Sequence, residues 1–177
     1  ADFVGEVREV DAKTRTLKTD FENFTGDVVN FIPPQQADAI ARGAGLADDE
    51  GFCPVDFPSM RSQRDARIFV LGDAIEAHTM PKAATAAVSQ ARSCAGQIMA
   101  ELVDATPPEP RLELACYSFL DAEHAVINAS SYRPTEGGGV ERTRVENSDA
   151  EESAQIRRNQ AAEAKRWYRG VSLHLFG

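Results

Sequence analysis

The chain has 177 residues, of which 28 are acidic and 19 basic, giving a formal net charge of -9 and a sequence pI near 4.8. It is long enough to bury about 70% of the surface its extended form exposes. Its acidity, with no clustered basic stripe, excludes nucleic acid as an expected partner. The three cysteines Cys53, Cys94 and Cys116 are too scattered for a disulfide framework. No CxxCH is present, so this chain attaches no c-type haem itself, and no Cys-His cluster marks a metal site. No apolar run reaches the ~18 residues that a membrane span needs.

In chain order, Phe3 to Thr19 alternates apolar and charged residues in a β-like way, with a turn at Lys13-Thr14-Arg15. After a second turn marked by Asn23 and Gly26, the apolar run from Val28 to Ile32 predicts a buried strand, stopped by Pro33-Pro34. Ala37, Ile40, Ala41 and Ala44 have helical spacing, with Gly43 and Gly45 as stop signals. Cys53 sits in a turn-rich stretch, where it is either a small packed residue or a redox-active thiol.

The organising segment is Arg67 to Ala95. Ile68 to Leu71 predicts a strand that breaks at Gly72-Asp73, and a helix is expected from about Lys82 to Val103. Its apolar positions Ala84, Ala87, Val88, Ala91, Cys94, Ala95, Ile98, Met99 and Leu102 form one stripe at the 3.6-residue period. Small residues dominate its first half and allow close approach to a sheet or a flat ring. Gly72 permits close backbone approach, and Asp73 can accept hydrogen bonds from sugar-like hydroxyls. The positive end of the helix can face an electron-rich ring. The bland alternative is a strand-loop-helix unit in which Asp73 merely caps a turn.

Thr106 to Pro110 is a stiff connector. Leu112 to Leu120, Ala125 to Tyr132 and Val140 to Val145 predict a small antiparallel sheet. A helix capped by Ser148 or Asp149 is expected through about Arg169, held by its end at Trp167-Tyr168. The three histidines are dispersed. Of these, only His78 lies in the loop beside the organising segment, where a proton-carrier role is chemically open to it.

The stretch IFVLGDA followed by MPKAATAAVSQA resembles the second flavin-binding motif of two-dinucleotide-domain flavoproteins. Taken with the IPPQ, CPVD and ACYS segments, the chain resembles the flavoprotein subunit of flavocytochrome c sulfide dehydrogenase. The fold so implied is α+β: the C-terminal part of such a flavoprotein, comprising the second half of the FAD domain and a small antiparallel sheet with a C-terminal helix. No GxGxxG occurs here, so the chain is expected to be one part of a longer polypeptide. Residues 1–47 would close the middle nucleotide-binding domain, 48–105 complete the FAD domain, and 106–177 form the C-terminal sheet and helix.

The resemblance implies FAD as cofactor, sulfide as substrate, a c-type cytochrome subunit and the N-terminal flavin-binding part as partners, and a periplasmic location. It implies that Gly72, Asp73, Met80, Pro81 and Lys82 contact the cofactor. Trp167 is either near the flavin or a docking anchor for its helix. Cys116 would be one half of a redox-active pair whose partner lies in the N-terminal part. Sulfur suits that role because hydrosulfide can attack a disulfide and release a thiolate. From its residues alone Cys116 reads as a small core side chain, and it is the resemblance that reverses this. Two other functions remain open at this point: a sulfide:quinone or pyridine-nucleotide flavoprotein, and a non-catalytic cytochrome-binding or packing module.

Overall fold

The computed structural model describes residues 5–177, and the chain divides at Gln35/Gln36 into two compact units. Phe3 and Val4, at the start of the first expected strand, lie outside the described residues.

The first unit is a three-stranded antiparallel meander of β1 (Val7–Asp11), β2 (Thr16–Thr19) and β3 (Asn23–Thr25). Its first turn forms because the Asp11 carboxylate accepts the N–H groups of Lys13 and Thr14, while Arg15 takes a left-handed backbone with φ 54°. Leu17 stands at the centre of the register, opposite Val10 on one side and Phe24 on the other. The strand expected over Val28 to Ile32 does not form. Val28 is 89% exposed and Ile32 74%. An apolar run becomes a buried strand only when a ladder and a covering surface flank it, and the meander closes without one here.

The second unit opens with the five-residue helix α1 (Ala39–Gly43), capped by the Asp38 carboxylate on the Ile40 N–H. A two-residue hairpin, β4 (Val55–Asp56) and β5 (Arg61–Ser62), follows. The strand expected over Ile68 to Leu71 shrinks to a single bridge, Phe69 with Arg61. The segment it bonds to is centred on β5, only two residues long, so the ladder has no partner along which to extend. What holds the loops is instead a buried cluster in which Met60, Ile75 and Met80 are each 2% exposed or less.

Helix α2 (Ala84–Leu102) then packs along β6 (Leu112–Phe119), the edge of an antiparallel sheet completed by β7 (Ala125–Pro134) and β8 (Val140–Asn147). The face α2 buries is not the expected stripe. Ala86, Gln90, Ser93, Cys94 and Ala100 point inward, and of the stripe only Cys94 is buried. Ala91, Ala95, Met99 and Leu102 are exposed. The physical reason is polar: Gln90 and Ser93 find backbone partners inside, on Gly72 and Pro58, and so turn the helix.

Helix α3 (Ala154–Phe176) lies on the sheet and contacts β7 and β6. Its cap is Ser153, not Ser148 or Asp149, with the Ser153 hydroxyl accepting from Ile156 N–H. Ser148 is used elsewhere, its hydroxyl accepting from Ile127 N–H at the end of the sheet. Nor is the helix held by its end: Gln160, Ala161 and Ala164 are buried, whereas Tyr168 is 67% exposed and Phe176 88%. Small side chains in its middle allow the close approach that larger ones near its terminus would prevent. The sheet, helix and loops together make an α+β fold.

Candidate functional site

Gly72 and Asp73 begin a short 3-10 turn, Gly72–Ala74. Gly72 has φ +72°, and a Cβ there would stand 3.3 Å from that of Ala87. Glycine is thus required twice, for backbone conformation and for proximity to α2. Its N–H donates to Gln90 Oε1 at 2.7 Å. The Asp73 side chain is exposed, and its backbone carbonyl accepts from Lys82 Nζ at 2.9 Å.

Lys82 also donates to the Ile75 carbonyl, and its ammonium lies 3.8 Å from the centre of the Phe52 ring. Burial pushes its pKa down, partly offset by the nearby Asp73 carboxylate. Met80 is 2% exposed, a core residue whose sulfur accepts from Gln90 Nε2 at 3.5 Å. Pro81 is exposed just before the helix. Turn and helix start are therefore tied together by side chains of α2 and of the residues leading into it.

Cys116 is exposed on β6. It lines an open pocket of about 300 Å³ together with Ala83, Ala84 and Thr85 at the amino end of α2, and Ala164, Trp167 and Tyr168 from α3. Of the residues singled out from sequence, this pocket unites Cys116, Trp167 and the helix start. Gly72, Asp73, Met80, Pro81 and Lys82 do not line it; they gather around the turn on the other side of that start. Trp167 is half-buried and lines this pocket from α3.

The residue at the head of α2 is Ala83, which offers no side-chain cap, so no side chain at that position occupies the helix's leading N–H groups. An electron-rich group is what such an end attracts. Small residues, an uncapped helix end and a flanking indole suit the flat ring of a flavin, and an exposed carboxylate after a glycine suits its hydroxyl-bearing chain.

Cys53 and Cys94 behave differently from Cys116. Both are buried, and burial pushes both thiols up, with Asp48 adding to the effect at Cys53. Buried thiols of this kind are inert. His78 does not line the pocket: it sits against Gly139 of the β7–β8 turn, with Nδ1 3.6 Å from Glu76.

Sequence reasoning missed Thr85 and Ser89. The Thr85 hydroxyl donates to Ala115 C=O at 2.9 Å and accepts from Ala115 N–H at 3.0 Å. The Ser89 hydroxyl does the same one turn on, with Glu113 C=O and N–H at 3.0 and 3.1 Å. Two hydroxyls thus take the place of a further strand along β6 and fix α2 beside Cys116. The available signal was a Thr and a Ser four apart in an alanine-rich helix. Tyr117 was also missed. It lines the same pocket, and its pKa is pushed up to about 12, by burial first and then by Glu163.

Among the described residues no group of three or more His, Cys, Asp or Glu side chains is placed to hold a metal ion, and no helix is long and apolar enough to cross a membrane.

A helix start, a small-residue wall and an aromatic face meet on an α+β frame at this pocket. Residues 108–176, which span the sheet and α3, match the family model described as flavocytochrome c sulphide dehydrogenase, flavin-binding. The resemblance to the flavoprotein subunit of that enzyme is borne out over this region, and FAD is the cofactor it brings.

Proposed function

We propose that this chain is the C-terminal portion of a flavin-dependent sulfide dehydrogenase, which passes electrons from sulfide by way of a cysteine pair and FAD to a c-type cytochrome. The observation that carries the reading is the meeting of Cys116, Trp167 and the uncapped start of α2 in one pocket. In this reading residues 1–47 belong to the end of the middle nucleotide-binding domain, 48–105 to the FAD domain and 106–177 to the C-terminal domain. The N-terminal flavin-binding part supplies the other wall and the second cysteine. A c-type cytochrome partner would place the protein in the periplasm.

Each residue has a definable task. Cys116 holds one sulfur of the disulfide: hydrosulfide attacks that S–S bond, a new S–S bond forms to the substrate sulfur, and the displaced cysteine leaves as a thiolate carrying the electron pair. FAD, when bound, supplies the two-electron acceptor. The α2 amino end and the Trp167 ring hold a flat, electron-rich group against the strand, and Asp73 accepts hydrogen bonds from its hydroxyl chain. Tyr117, kept neutral well above physiological pH, adds no charge beside the sulfur.

Titrating the purified chain with FAD while following flavin fluorescence tests the cofactor half. Weak, saturable quenching is expected, with no sulfide-dependent reduction of an acceptor by the chain alone. A sample that stays colourless with excess FAD would make this a non-catalytic packing module. In the complete protein, Cys116→Ser should abolish sulfide oxidation while FAD stays bound, and activity retained in that variant would remove Cys116 from the chemistry.

A further inference from the structure

We propose that Gln90 and Lys82 are positioning residues which clamp the Gly72–Ile75 turn from both ends, and thereby fix the backbone that presents the Asp73 carboxylate to FAD. The inference rests on the flavin reading above and goes beyond it. A carboxylate on an exposed turn is useful for recognition only if its backbone is held still, since otherwise each binding event must first order it.

The two clamps are chemically complementary. At the front of the turn, the Gly72 N–H donates to Gln90 Oε1 at 2.7 Å. Gln90 is 1% exposed, and its other end donates to Met80 Sδ at 3.5 Å. One amide thus joins the turn, the helix and the loop entering the helix. At the back, Lys82 Nζ donates to the carbonyls of Asp73 and Ile75. Its ammonium is further held against the Phe52 ring at 3.8 Å. The far end of the turn is anchored by Cys53, which bonds Ala74 C=O and Glu76 N–H, and by the buried Ile75 side chain, whereas Gly72 and Asp73 have only the Ile75 N–H to Gly72 C=O bond besides the two clamps. A Gln in the middle of a helix and a Lys on its approach are therefore both spent on backbone groups, eighteen positions away for Gln90 and nine and seven for Lys82, instead of on solvent.

The test uses the full chain with Lys82→Met, which keeps the apolar stem and loses the donor, Lys82→Arg, which keeps donors, and Gln90→Leu. Ser93→Ala is the control, because Ser93 is buried on the same helix face and bonds Pro58 C=O without touching the turn. FAD affinity is read by fluorescence titration, the turn by amide hydrogen exchange at Gly72 and Ile75 without FAD, and global stability by urea unfolding. Lys82→Met and Gln90→Leu should weaken FAD binding about tenfold and speed exchange in the turn, with Lys82→Arg recovering most of the affinity. Ser93→Ala should lower stability and leave FAD affinity unchanged. If Gln90→Leu does not fold, Lys82→Met, altered at an exposed position, decides alone. Wild-type binding with unchanged affinity in Lys82→Met overturns the clamp and leaves the flavin reading standing. A wild-type chain that takes up no FAD at all overturns both. Affinity lost equally in Ser93→Ala assigns the effect to general stability and overturns the clamp.

Discussion

At the scale of single residues, ionisation reports how each environment differs from water. Tyr117 has its pKa raised to about 12 by burial and by Glu163. A raised pKa stabilises the fold fully below the unfolded value near 10 and loses that contribution as pH climbs toward 12. Tyrosinate absorbance should therefore show one late-titrating tyrosine, and Glu163→Gln should move it earlier. Asp121 behaves in the opposite sense: N–H groups of Glu123 and His124 and the His124 ring hold its pKa down to about 2. Its contribution is present above the ordinary carboxylate value and disappears as pH falls from about 4 toward 2, which carboxyl NMR titration would follow. Residue chemistry was partly legible beforehand. Gly72-Asp73 and Cys116 stand out as types in a pattern, but the partner of Gly72, a glutamine eighteen positions on, has no local signature.

At the scale of elements, the hydroxyls of Thr85 and Ser89 do for β6 what a neighbouring strand would do. Thr85→Val leaves an N–H and a C=O of a part-buried strand without partners, at a cost of about 1–3 kcal/mol, and Ser89→Ala, at a more exposed position, about 1 kcal/mol. Urea unfolding of the two variants checks the order. Loss of less than a few tenths of a kcal/mol from Thr85→Val would mean that water replaces the hydroxyl. The three C-terminal strands and the existence of both long helices were readable, α2 from its helical spacing and α3 from a cap-like start, because each is bounded by turn residues and closes locally. The Val28 to Ile32 run and the Ile68 to Leu71 strand were not, because a strand exists only where another segment accepts its ladder. The α2 face was misjudged for a related reason. Periodicity counts Gln90 and Ser93 as surface, whereas backbone groups inside the loops reward them for turning inward.

At the scale of the whole molecule, every residue of the buried clusters lies after Gln36. Limited proteolysis should accordingly trim the first unit and leave a resistant product close to 36–177. Ala91, Ala95, Met99 and Leu102 form an uncovered apolar band on α2, and such a band favours self-association. Met99→Lys with Leu102→Lys should shift the chain toward monomer on size-exclusion chromatography, and an unchanged profile would clear the band of that role. The bond pair between Thr85 and Ala115 has one more implication. Ala115 is the immediate neighbour of Cys116, so the sulfur-bearing backbone is tied to the leading turn of α2 by the Thr85 hydroxyl, and Ser89 adds a second tie one turn on. A change at the thiol that shifts this strand must therefore be accommodated at the amino end of the helix as well.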